Sequence, residues 1–185
     1  ELHIAEQYSV EVQAQENILP VLKTEVENGK LRLYFDENVS QTKDLKVRIS
    51  APALDELAIA GSGNLKAATP IRGEQLKLSI GGSGEILVPG AELNTLQCAI
   101  AGSGNIRVTG TANEANFEIA GSGDIDAKEL TAQNSKADIA GSGSVHCNVA
   151  QNLKVNIAGS GDVFYTGNAA VDMDVSGSGK VKKTN

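Results

Sequence analysis

The chain of 185 residues combines many small aliphatic residues with very few aromatic ones. Hydrophobic residues make up 41%, whereas aromatic residues reach 3% and tryptophan is absent, which excludes a core built on large rings. A formal net charge of −7 argues against nucleic acid or an anionic membrane surface as partner, because both attract clustered Lys and Arg. No stretch approaches the roughly 20 apolar residues of a membrane-spanning helix, so we predict no transmembrane segment.

The first 50 residues alternate apolar and polar side chains in three short stretches, which predicts β-strands. The apolar sets are Tyr8, Val10 and Val12, then Leu31, Leu33 and Phe35, then Leu45, Val47 and Ile49. The pair Asn28-Gly29 between apolar residues is typical of a type I′ hairpin turn. We therefore predict that residues 1–50 form N-terminal strands, with an antiparallel hairpin that caps the structure following it.

Residues 51–185 contain seven copies of the tripeptide Gly-Ser-Gly, spaced 18 to 21 residues apart. Self-similarity at this period is the signature of a repeat architecture. Glycine adopts the positive φ that a sharp corner requires, and the serine can bond to the local backbone or to the next serine. We assign the copies as structural turns: Gly61, Ser62 and Gly63; Gly82, Ser83 and Gly84; Gly102, Ser103 and Gly104; Gly121, Ser122 and Gly123; Gly141, Ser142 and Gly143; Gly159, Ser160 and Gly161; Gly177, Ser178 and Gly179.

Apolar residues recur at fixed positions around each tripeptide and alternate with mostly polar ones. Such alternation on both sides of a corner predicts two half-buried strands, and no 3.6-residue spacing suggests a helix. About 19 residues per copy suit one turn of a coil, with each copy stacked in register ~4.8 Å above the last. The column two residues before the tripeptide is Ile59, Ile80, Ile100, Ile119, Ile139, Ile157 and Val175. We predict an all-β, single-stranded parallel β-helix that forms one continuous domain.

The repeated Ile-Ala-Gly-Ser-Gly-Asp/Asn-Ile signature, the strand Tyr8-Ser9-Val10-Glu11-Val12 and the hairpin Lys23-Thr24-Glu25-Val26-Glu27-Asn28-Gly29-Lys30-Leu31 resemble a known family. It is the putative auto-transporter adhesin head domain, also called the GIN domain or DUF2807. The resemblance implies a right-handed, pectin-lyase-like β-helix with tight turns at the tripeptides. It also implies an exported protein of the bacterial envelope, common in gut Bacteroidetes, that acts in cell adhesion. Such a protein would lie at the cell surface, attached to the outer membrane, or in the periplasm.

The residues with reactive side chains are predicted to be structural. Cys98 and Cys147 fall in inward columns two coils apart, about 10 Å, which exceeds the ~7 Å between α-carbons that a disulfide allows. We expect two free, buried and inert thiols. His146 falls in an outward column, and the repeated serines have no histidine at matching spacing, so neither predicts a nucleophile.

Three kinds of functional β-coil are disfavoured by the same columns. Calcium-binding rolls need an aspartate two residues after the last glycine, where this chain always has an aliphatic residue. Hexapeptide acyltransferases repeat every six residues, and no such sub-period is present. Carbohydrate-active β-helix enzymes need paired carboxylates or basic groups in a groove, whereas the outward acids are scattered. We therefore predict no enzyme, no cofactor and no metal.

We predict that the function is non-enzymatic binding of a host or cell-surface glycan or protein. Rows of outward polar side chains on the parallel sheet faces would contact the ligand. The candidate binding row is Glu118, Asp138, Asn156 and Asp174. Two alternatives stay open: a structural envelope scaffold or self-associating spacer that forms homo-oligomers without a ligand, and a carbohydrate-active β-helix enzyme.

Overall fold

The computed structural model describes residues 1–39 and 45–184, and within them every regular element is a β-strand. Leu45 lies at the edge of the described region, just before a strand. The strands are β1 (Leu2–Ile4), β2 (Ser9–Gln13), β3 (Leu22–Glu27), β4 (Lys30–Phe35), β5 (Lys46–Ala51), β6 (Glu56–Gly61), β7 (Asn64–Lys66), β8 (Ile71–Gly82), β9 (Glu85–Gly102), β10 (Asn105–Gly121), β11 (Asp124–Gly141), β12 (Ser144–Gly159), β13 (Asp162–Thr166), β14 (Ala170–Gly177) and β15 (Lys180–Lys183).

Strands β6 to β15 form one sheet in which all the pairings are parallel. Each strand pairs with the equivalent strand of the neighbouring repeat, so that Ile119 lies opposite Ile139 and Gly121 opposite Gly141. The result is a β-solenoid of about six turns, which confirms the predicted parallel β-helix. Strands β9 to β12 are 16 to 18 residues long, and each runs from one tripeptide to the next.

The interior of the solenoid is a stack of aliphatic columns, one residue per coil. The isoleucines of the column before the tripeptide, from Ile80 to Ile157, are 1–2% exposed. In the column two residues earlier, Cys98 lies between Leu78 and Phe117 on the neighbouring coils. Each thin layer is narrow enough for single side chains to fill, which explains why the chain folds with few aromatic residues.

The seven tripeptides lie at corners of the solenoid, and each from Gly82 onward lies against the tripeptide of the preceding coil. The first glycine of each has φ between 117° and 135°, a conformation that disfavours residues with a Cβ. A Cβ at Gly102 would lie 2.3 Å from the carbonyl oxygen of Gly82, so the space is closed as well. The serine N–H donates to the first glycine carbonyl of the preceding coil, for example Ser122 to Gly102 at 2.9 Å. All seven serines are exposed.

A second corner absorbs the variation in repeat length. Pairing between β9 and β10 shifts by one residue between Val108 and Gly110, and β11 pairs with β12 through further shifts between Ala127 and Asn134. Gly110 has φ 125°, yet the following coil has no glycine at this corner. Differences in length between neighbouring repeats are therefore accommodated by bulges at this corner, while the tripeptide corners stay in register.

The N-terminal end of the solenoid is closed by a three-stranded sheet in the order β1-β5-β2. Leu2 pairs with Ala67 of the first coil, and the Ile4 N–H donates to Thr69 Oγ1 at 2.7 Å. Leu2 is buried in the same core as the coils, and Ile49 packs against it. The first coil is therefore covered mainly by β1 and β5.

The predicted hairpin forms beside this sheet. Strands β3 and β4 pair antiparallel, and Asn28 and Gly29 between them both have positive φ. The hairpin is a separate two-stranded sheet whose Val26 is 75% exposed, and it contacts the solenoid through an ion pair of 2.7 Å between Lys30 and Glu56. The apolar side chains of the hairpin lie outside the solenoid core.

Replacing the last glycine of a mid-solenoid tripeptide should destabilise the fold. A Cβ at Gly123 would lie 2.4 Å from the Gly104 carbonyl oxygen, whereas at Gly63, in the first coil, the nearest atom is 4.0 Å away. We expect Gly123→Ala to lower the free energy of unfolding by about 2–3 kcal/mol. Gly63→Ala is the matched control and should cost less than about 1 kcal/mol. Equal urea midpoints for the two variants would contradict this account of the corner.

Both cysteines should be unreactive in the folded protein. Cys98 and Cys147 are free and buried. Burial raises the pKa of the Cys147 thiol to about 12 and also raises that of Cys98, so little thiolate exists at neutral pH. Titration with a thiol-specific chromogenic disulfide should detect no fast reaction in buffer and two thiols per chain in denaturant. Rapid modification without unfolding would refute the inward placement.

Candidate functional site

The outward positions on strands β8 to β12 and β14 form a shallow trough along the solenoid. On these strands, the residues three and one positions before each tripeptide alternate with buried residues, so their side chains point away from the core. Stacking of the coils aligns these side chains into two rows about 7 Å apart. One row is Ser79, Ala99, Glu118, Asp138, Asn156 and Asp174, and the other is Gly81, Ala101, Ala120, Ala140, Ala158 and Ser176. We call these twelve residues the trough.

The structure brings the four residues of the predicted binding row together. Glu118 lies opposite Asp138, Asp138 opposite Asn156, and Asn156 opposite Asp174 on successive strands. Asn156 Nδ2 donates to Asp138 Oδ1 at 2.6 Å, and Lys136 Nζ donates to Asp138 Oδ2 at the same distance. Asp138 is thereby fixed at the centre of the row.

The surroundings of Asp138 keep its carboxylate ionised. Partial burial would by itself raise the pKa of Asp138, but the hydrogen bonds from Asn156 and Lys136 outweigh that effect. The positive charges of Lys136 and Lys154 act in the same direction, and the resulting pKa lies below its ordinary value. A carboxylate in this state accepts hydrogen bonds well and is a poor proton donor.

The trough is open to solvent and longer than it is deep. Two depressions along it, of about 280 and 300 Å³, share Glu118 and Ala120. Small-molecule sites are mostly enclosed and begin at about 300 Å³, so this surface does not resemble a pocket for one compact ligand. Six stacked strands give it a length of about 24 Å, which suits an extended chain lying along the axis.

The other residues considered for chemistry lie apart from the trough. His146 is outward and half-buried, and its ring stacks on Phe164 with centroids 4.8 Å apart. Asp126 forms ion pairs with Arg107 at 3.2 Å and Lys128 at 3.6 Å. Across the described residues, no group of three or more His, Cys, Asp or Glu side chains is placed to hold a metal ion. In the same part of the chain, no helix is long and apolar enough to cross a membrane.

Sequence reasoning located the polar row but missed the floor of the trough. Ala120, Ala140 and Ala158 are exposed beside it, and the row extends through the uncharged residues Ala99 and Ser79. The signal was present, since the alanine of each Ile-Ala-Gly-Ser-Gly copy alternates with a buried isoleucine and so must face outward. The depression that this row of small residues forms beside the polar row depends on how the coils stack.

The comparison with protein families matches residues 1–169 to DUF2807, described as the putative auto-transporter adhesin, head GIN domain. The chain belongs to this family. Among curated proteins, none matches it.

Solved structures of similar proteins have the same fold. A putative adhesin from Bacteroides fragilis NCTC 9343 superposes with a TM-score of 0.94 at 22% identity, covering 99% of this chain and 86% of that one. A putative lipid binding protein from Parabacteroides distasonis ATCC 8503 gives 0.83 at 28% identity, covering 100% and 87%. A putative adhesin from Parabacteroides merdae ATCC 43184 gives 0.76 at 25% identity, covering 100% and 87%. The solenoid fold is thus shared by proteins described as putative adhesins and by one described as a putative lipid binding protein.

The hydrogen-bonded carboxylate of Asp138 should contribute to stability in a pH-dependent way. Because its folded pKa is lowered, the contribution is present above the ordinary aspartate pKa and is lost as pH falls through the folded value. We expect Asp138→Asn to reduce the free energy of unfolding by less than about 1 kcal/mol at neutral pH, since the site is partly exposed. The difference from wild type should vanish by about pH 2.

Urea unfolding at the two pH values measures this effect. Asp174→Asn is the control, because Asp174 lies exposed in the same row and no side-chain hydrogen bond or ion pair to it is found among the described residues. It should change the urea midpoint less than Asp138→Asn does at neutral pH. Equal changes for the two variants would show that the network around Asp138 adds nothing.

Proposed function

We propose that this GIN-domain protein is an exported, non-enzymatic adhesin that binds an extended glycan along the trough. The observation that carries the proposal is the alignment of hydrogen-bonding groups beside a continuous floor of alanines. Family membership supports a role in adhesion and a place at the cell surface. We propose that the protein is attached to the outer membrane or lies in the periplasm.

The chemistry of the trough fits a carbohydrate chain. Carboxylate and amide oxygens accept hydrogen bonds from sugar hydroxyls, and the amide N–H₂ of Asn156 donates to them. The methyl groups of Ala120, Ala140 and Ala158 offer apolar contact to the C–H faces of the rings. Glu118, Asp138 and Asp174 make the C-terminal half acidic, which favours neutral or amino sugars over anionic ones.

The same geometry supports binding without catalysis. Glycosidases place two carboxyl groups on opposite sides of the scissile bond and raise the pKa of the one that donates a proton. Glu118 and Asp138 instead lie side by side on adjacent strands of one sheet face. The pKa of Asp138 is lowered, which opposes the role of general acid.

A lipid is a less suitable ligand for this surface, although one structural relative is described as a putative lipid binding protein. The floor offers methyl groups of alanine and no large apolar side chain, and the trough is shallow and open. Burial of an acyl chain would gain little apolar contact there. A polypeptide in extended conformation fits the length of the trough as well as a glycan does. The binding experiment must therefore distinguish a polypeptide ligand from a glycan.

Filling the floor should weaken ligand binding without unfolding the protein. Ala158→Gln places a long uncharged side chain in the trough, so we expect at least a tenfold loss of affinity, about 1.4 kcal/mol. Ala150→Gln is the matched control, since Ala150 is also an exposed alanine of β12 but lies outside the trough.

Binding is measured first on a glycan array and on immobilised host matrix proteins, and then by calorimetry with the best ligand. A neutral or amino-sugar glycan whose affinity falls in Ala158→Gln alone would support the proposal. Binding to matrix protein and to no glycan would replace the glycan with a polypeptide. A wild-type protein that binds nothing in either panel, or a ligand unaffected by Ala158→Gln, would refute the trough as the adhesive surface.

A further inference from the structure

The last coil that the structure describes exposes apolar side chains at positions that are buried in the central coils. Met173 and Val175 on β14 are 61% and 36% exposed, while their column neighbours Val155 and Ile157 are at most 2% exposed. Strand β14 pairs with β12 and strand β15 with β13, and the described residues provide no partner strand on the far side of either. This end is therefore a sheet edge with an apolar interior, which favours pairing with further strands.

The two ends of the solenoid are different, and this restricts what can cover the open one. The opposite end is closed by β1 and β5, so that stacking of identical copies head to tail would meet a covered surface. A contact between two open ends is isologous and forms a closed pair instead of a filament. A second copy of this chain is thus geometrically able to cover the edge.

Charge distribution on the open end favours such a second copy. The outward residues Asp172 and Asp174 make β14 acidic, and Lys180, Lys182 and Lys183 make β15 basic. Strand β14 is joined to strand β15 by the corner that contains Ser178. A twofold axis through that corner would bring the acidic strand of each copy onto the basic strand of the other.

We propose that two copies of the chain associate end to end, with β14 of each pairing antiparallel to β15 of the other. With Ser178 on the axis, Val175 lies opposite Val181 of the partner subunit and Asp174 opposite Lys182 of the partner subunit. The apolar pair continues the inward columns, and the charged pair lies on the outer face. Cross-strand pairs of both kinds are stabilising, and each occurs twice in the dimer.

Charge reversal tests the pairing through the mass of the protein in solution. Analytical ultracentrifugation of wild type over a range of concentrations should show a reversible dimer of the 19.2 kDa chain. Asp174→Lys or Lys182→Asp alone should weaken the dimer at least tenfold. The double variant Asp174→Lys/Lys182→Asp should restore it, because the opposite charges again face each other.

Glu85→Lys controls for the change in net charge, since Glu85 is exposed in the middle of the solenoid on β9. It should leave the dimer unchanged, and circular dichroism should show that all variants keep the fold. A wild-type protein that is monomeric at every concentration would overturn the proposal. A dimer that none of the reversals weakens, or that the double variant fails to restore, would overturn it as well.

Cross-linking provides a second measurement that does not depend on charge. Two Ser178 residues on a twofold axis through an antiparallel pair have α-carbons about 4.5–5.5 Å apart, within the range of a disulfide. Under mild oxidation, Ser178→Cys should form a covalent dimer. Ser122→Cys, at the equivalent corner of a central coil, should stay monomeric under the same conditions. Equal cross-linking of the two variants, or none in Ser178→Cys, would exclude this axis.

Discussion

The backbone hydrogen bond between stacked tripeptide corners is the constraint on which the rest of the solenoid depends. From Ser83 onward, each tripeptide serine N–H donates to the glycine carbonyl of the preceding coil at 2.8–3.0 Å. A Cβ on the first glycine of any of these tripeptides would overlap the same carbonyl, so no side chain fits there. The contact fixes the register of the residues on both sides of the corner. The buried isoleucine column and the two outward rows of the trough are aligned as a consequence.

Because register is set at one corner, the chain is free to vary at another. The pairing shifts gather near Gly110 and between Ala127 and Asn134, several residues after the tripeptide of each coil. Side chains in the trough therefore stay aligned although repeats differ in length by up to three residues. The proposed binding surface takes single residues from many coils, and it depends on this separation between a constant corner and a variable one.

The stacking of the repeats could be predicted from the sequence, whereas the closing of one end of the solenoid and the exposure of the other could not. Alternation around Gly-Ser-Gly was enough to place the isoleucine column inside and Asp138 outside, because each position is repeated in seven copies. The roles of Leu2 and Ile49 in closing the first coil depend on contacts between segments far apart in the chain. Met173 follows the inward pattern yet is exposed, because burial needs a following coil and none is present among the described residues.

Each coil contacts mainly the coils before and after it, as the like-on-like columns show. Stability in such a protein is approximately a sum of unit and nearest-neighbour terms. Duplication or loss of an entire repeat would therefore change the length of the solenoid in steps of about 4.8 Å and leave its cross-section unchanged. Recombination between repeats could thus lengthen or shorten the outward rows of side chains without a redesign of the interior.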